Sequence, residues 1–101
     1  MLGEYNDIDI FMYYVYVLLG KVNGKRRFYI GSCSDLRKRL QKHKQGSVKT
    51  TKTYKNIKLV YYEACLVKRD ALLREKRLKT GYGRAYIKRR IETHLKQAGI
   101  V

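Results

Sequence analysis

The chain has 101 residues, and its 24 Lys plus Arg against 8 Asp plus Glu give a formal charge of +16. This length holds one small domain, which buries about 60–65% of the surface its unfolded form exposes, and excludes a second core. The charge favours a polyanionic partner, with nucleic acid as the leading class. No apolar run approaches the roughly 18 residues of a membrane span.

The first eleven residues, MLGEYNDIDIF, read as a leader, acidic where a secretory signal would be positively charged. Glu4, Asp7 and Asp9 all precede the first basic residue, Lys21, so the basic excess lies wholly in the single domain expected over residues 12–98. Cys33 and Cys65 have no metal-ligand spacing, which predicts reduced thiols and a cytoplasmic setting.

Residues 12–19, MYYVYVLL, form an apolar and aromatic run without helical period, and residues 27–31, RFYIG, form a second β-prone run. Between them Asn23-Gly24 is the preferred centre of a two-residue hairpin turn. A tight turn pairs Val22 with Lys25, Leu18 with Tyr29 and Tyr16 with Gly31. Tyr16 and Tyr29 then become diagonal neighbours on one face, within about 7–8 Å.

Ser34 or Asp35 caps a helix predicted to reach Gln45 and to stop at Gly46. At about 100° per residue, Leu36 and Leu40 define its packed face, with Arg39 and His43 on or beside that face. Arg37, Lys38 and Lys42 point to solvent or to a phosphate chain, and with Lys52 in the following loop they are the nucleic-acid-binding candidates. For Arg39 and His43 two accounts stand: boundary residues satisfied at the core edge, or a guanidinium and an imidazole aimed into a cleft beside Tyr16 and Tyr29. In such a cleft Arg39 would clamp a phosphate and stabilise the charge growing on it.

Residues 47–56 read as a loop, residues 57–65 as a third strand, and residues 68–79 as a second helix ended by Thr80-Gly81-Tyr82-Gly83. On that second helix Glu75 falls mid-face, between Leu72 and Leu78 by the same angular count. A carboxylate there needs compensation: either a salt bridge to an arginine such as Arg39, or a divalent cation, since Mg²⁺ is commonly held by one or two carboxylates with water and substrate phosphate. Glu63 is the second possible ligand, though more in keeping with a pairing residue on the sheet surface. A phenol such as Tyr16 would serve as a general base if its pKa were lowered from about 10. Arg84 to Ala98 form a third helix. The order ββαβαα predicts an α+β domain, a small three-stranded antiparallel sheet flanked by three helices.

Five motifs in order then resemble the GIY-YIG nucleases, particularly the small single-domain bacterial type, over residues 13–90. Tyr14-Val15-Tyr16 stands at the GIY tripeptide, Tyr29-Ile30-Gly31 at YIG, Arg39 in GSCSDLRKRL at the family arginine, His43 at its histidine, and Glu75 at its glutamate. The segments LVYYEA and LKTGYGRAYIKRRI are similar to those of the small members as well. The resemblance implies an endonuclease that hydrolyses DNA phosphodiester bonds with one divalent cation, Mg²⁺ or alternatively Mn²⁺, bound by Glu75. It implies Tyr16 as general base, with His43 or a nearby lysine holding its phenolate, Tyr29 positioning the nucleophile or phosphate, and Arg39 stabilising the transition state. Branched or single-stranded DNA, in repair or recombination, is the expected substrate setting, for a monomer or weak dimer. Two departures are present: Tyr14 replaces the GIY glycine, and no Asn follows Asn56, where many members carry a substrate-contacting asparagine. The alternative is a DNA- or RNA-binding module of the same fold with little or no cleavage activity.

Overall fold

The computed structural model describes residues 11–99; the leader expected over residues 1–11 lies outside them up to residue 10. Strands β1 (Tyr13–Val22), β2 (Lys25–Cys33) and β3 (Lys55–Cys65) form one antiparallel sheet in the order β2-β1-β3. Helices α1 (Leu36–Lys44), α2 (Lys68–Leu78) and α3 (Gly81–Gln97) complete the predicted order ββαβαα.

Because side chains alternate along each strand, the central strand feeds two cores. Val15, Val17 and Leu19 pack with Ile30, Ala71, Leu78, Ile87, Ile91 and Leu95 under α2 and α3. Tyr16 and Leu18 pack with Ile57, Tyr29, Leu36 and Leu40 under α1. The hairpin register is the one the Asn23-Gly24 turn predicts: Val22 faces Lys25, Leu18 faces Tyr29 and Tyr16 faces Gly31. Both turn residues have positive φ, 53° and 77°.

Three local features differ from expectation. Strand β3 starts at Lys55, two residues early, and is bulged: Val17 pairs with Tyr61 but Leu18 with Leu59. The extra residue, Val60, lets both Val60 and Tyr61 pack toward the α2/α3 core. Leu72 is 49% exposed, so the inward stripe of α2 is Ala71, Glu75 and Leu78. Finally, α3 begins at Gly81 and not at Arg84, because Thr80 caps it with a hydroxyl that accepts from the Gly83 amide at 3.3 Å.

The glycines that read as a helix stop are therefore the first turn of the next helix. Gly83 is buried, and a Cβ there would overlap the Cα and carbonyl of Leu78, whereas a Cβ at Gly81 would meet nothing. Gly83→Ala is expected to destabilise by about 1–3 kcal/mol and Gly81→Ala to leave stability equal or slightly higher. Urea unfolding of the two variants checks the contrast.

Candidate active site

Tyr16 is 2% exposed, and its phenol crosses the backbone of Gly31 on the neighbouring strand. An ideal Cβ at Gly31 would lie 2.6 Å from the phenolic oxygen and 2.8 Å from Cζ, so only glycine leaves the phenol this path. The Tyr16 oxygen ends 2.7 Å from His43 Nε2, and His43 Nδ1 lies 2.6 Å from Thr51 Oγ1. All three side chains are buried, and no buried side-chain N or O among the described residues lacks a partner. Tyr29 closes the group: its ring centroid is 6.2 Å from that of Tyr16 and 5.0 Å from that of His43.

Burial, and secondly the nearby Arg39 charge, lower the His43 pKa, so the imidazole is neutral near pH 7. A neutral imidazole donates from one nitrogen and accepts at the other. A phenol is the better proton donor of its two partners, which favours Tyr16 Oη donating to Nε2 and Nδ1–H donating to Thr51. Tyr16 itself is pushed well above the usual phenol range, first by burial and next by Tyr29; Arg39 opposes this in part, while Cys33 and Glu75 add to it. A standing phenolate at neutral pH is thus disfavoured.

The two classes of cation on α1 separate as the helical angles predict. Arg39 is half-buried, while Arg37, Lys38 and Lys42 are exposed, as is Lys52 beyond the short 3₁₀ turn Lys49–Thr51. Arg39 lines a cleft of about 340 Å³ with Ser32, Cys33 and Lys68. It has no ion-pair partner among the described residues, so the expected Arg39–Glu75 bridge is not the arrangement found.

Glu75 enters from the opposite side of the sheet. Ser32 Oγ donates to its Oε1 at 2.5 Å, and the Lys79 ammonium donates to its Oε2 at 2.7 Å. A cation already rests on this carboxylate, and the donors are hard oxygens, which suit Mg²⁺ or Mn²⁺. Glu63 does not offer the same opening: Arg74 Nε and Nη2 bind its two oxygens at 2.8 and 2.9 Å, and Tyr61 donates to it at 2.6 Å. Arg74, then Tyr61, hold the Glu63 carboxyl below its usual value against the opposing effect of burial. The described residues contain no cluster of three or more His, Cys, Asp or Glu.

Ser32 and Thr51 were not legible as site residues. Strand alternation puts Ser32 on the face opposite Gly31, where α2 lies, and that was the signal available. Thr51 sits in a segment with no period at all. Thr80 is engaged as the α3 cap and donates to the Arg77 carbonyl at 2.6 Å.

Tyrosines on paired strands, an arginine and a glutamate thus stand around one edge of a three-stranded sheet flanked by three helices. The model of the GIY-YIG catalytic domain matches residues 12–88, and the chain belongs to that family, whose members are nucleases acting on DNA. No curated protein and no solved structure matches significantly. Among the described residues no helix is long and apolar enough to cross a membrane.

A buried neutral histidine makes stability depend on pH with a definite sign. The unfolded chain takes up the His43 proton near the usual 6.5, before the folded protein does, so acidification favours unfolding. Melting temperature is expected to fall from pH 7 to about 5, above the range in which carboxylates titrate. His43→Gln should flatten that fall, and calorimetry of both proteins at matched ionic strength reads the difference.

Proposed function

We propose that the domain is a metal-dependent endonuclease hydrolysing DNA phosphodiester bonds, with Tyr16, Tyr29, Arg39 and His43 as catalytic residues and Glu75 as the metal ligand. The observation that supports this reading is the meeting of two sets of groups at the edge strand β2. Tyr16, Tyr29, His43 and Arg39 approach it from the α1 face, and Glu75 with Ser32 from the α2 face.

Glu75 would hold Mg²⁺ or Mn²⁺, with phosphate oxygens and water completing its shell. The cation supplies Lewis-acid polarisation of a phosphate oxygen. Lys79, a half-exposed ammonium, is the charge with which a cation at Glu75 would compete.

The protein's own groups account for proton and charge movement. Tyr16 Oη takes a proton from the attacking water as its own proton passes to His43 Nε2, and the resulting imidazolium keeps its Nδ1–H bond to Thr51. This exchange avoids the free phenolate that burial opposes. A phosphate seated against Arg39 offsets the guanidinium charge and thereby eases protonation of His43. Arg39 then stabilises the charge that grows on the phosphate oxygens, and the Tyr29 hydroxyl orients the water or the phosphate. Arg37, Lys38, Lys42 and Lys52 hold flanking phosphates from their exposed positions.

Nicking of supercoiled DNA with and without Mg²⁺ tests the reading. Glu75→Gln is expected to abolish metal-dependent nicking while binding persists. If wild type and Glu75→Gln leave the same residual background and both still bind, the domain is instead a nucleic-acid-binding module. Arg39→Ala should lower kcat by about 10²–10³ with modest loss of binding. Lys38→Ala and Lys42→Ala should mainly weaken binding and reduce the salt slope by about 0.9 per lost duplex phosphate contact. Equal effects from all three substitutions would reject the division of α1 into two faces.

A further inference from the structure

A second concavity, of about 1120 Å³, runs between the edge strand β2 and α3, on the α2/α3 side of the sheet. Lys25 and Arg27 line it from β2, and Arg84, Lys88 and Arg89 from α3. Its remaining acid, Glu92, is paired with Lys96 at 3.2 Å. Phe28, Ile30 and Ile87 supply apolar surface. Phe28 is 38% exposed although Leu19, its cross-strand partner, is 5% exposed, so the helices cover the central strand and leave the edge strand's aromatic ring open.

Lys79 also lines this groove, and its ammonium is the one resting on Glu75. The two donors to Glu75 thus line two different concavities, Lys79 this groove and Ser32 the smaller cleft that also holds Arg39.

We propose that this groove binds an unpaired DNA strand and delivers it to the Glu75 site. A duplex keeps its base faces stacked inside and presents phosphates outward, so it would use the cations but not Phe28 or the apolar residues beside it. An unpaired strand uses both: phosphates pair with the basic walls, and an exposed base stacks on the aromatic ring. Substrate preference then falls on DNA with a single-stranded segment beside the cleavage point. The role of the groove in delivering substrate rests on the nuclease reading above; its strand binding is measured independently.

Fluorescence anisotropy in EDTA, with a labelled oligothymidylate and a blunt duplex of equal phosphate count, reads binding without cleavage. Phe28→Ala is expected to weaken oligothymidylate binding about tenfold and to leave duplex binding unchanged, and Phe28→Trp should restore the strand affinity. Lys88→Ala, on an exposed helix face, should lower the single-strand salt slope by about 0.7. Equal losses on the two DNAs with Phe28→Ala, or no loss on the single strand, would overturn the groove as a strand site. Phe28-dependent strand binding in a protein that fails to nick DNA would leave strand binding standing and remove only the nuclease reading. Nicking with Phe28-independent binding would do the reverse.

Discussion

The buried hydrogen bond from Tyr16 to His43 couples the central strand to α1. A phenol, an imidazole and a threonine hydroxyl are all removed from water, and each would be costly to bury alone. They satisfy one another in a chain of 2.7 and 2.6 Å. That chain ties the central strand to the end of α1 and to the turn that follows it. It also requires a strand neighbour with no side chain, and Gly31 meets that requirement. A contact that couples burial with satisfaction has few alternative geometries, so the site is held by the same interactions that hold the α1 core.

Side chains from both faces of the sheet meet at the edge strand β2. Ser32, Val15 and Glu63 form one cross-strand row beneath α2. Adjacent residues of α2 divide that row: Arg74 reaches Glu63 on the far strand and Glu75 reaches Ser32 on the near one. The two acids are thus sorted by place. Glu63, locked by a two-bond arginine contact and a phenol, serves the sheet, whereas Glu75 is held by a half-exposed lysine and by Ser32, which line the two concavities.

Much of this was legible residue by residue. Alternation and the Asn23-Gly24 turn were enough to pair Tyr16 with Gly31 and to bring Tyr29 beside Tyr16. Angular position on α1 separated Arg39 and His43 from Arg37, Lys38 and Lys42, since a short helix against a sheet has one packed side. The misreadings came where a residue type has two uses. Gly81 and Gly83 signal a helix stop, yet here they open α3, because close approach to Leu78 outweighs their low helix propensity. Leu72 is apolar but exposed, since Ala71, Glu75 and Leu78 already fill the inward stripe.

The sequence by itself determined the element order, the β1–β2 register, the two faces of α1 and the family, because these follow from local periodicity, turn chemistry and ordered motifs. Only the tertiary structure decided the partners: Thr51 on His43, Ser32 and Lys79 on Glu75 in place of Arg39, and Arg74 on Glu63. These pairs join segments whose separation is set by packing, and a hydrogen bond depends on tenths of an ångström that no periodicity encodes. Burial likewise decided the charge states, since whether Tyr16 holds its proton and His43 lacks one depends on the water that the surrounding strands and helices exclude.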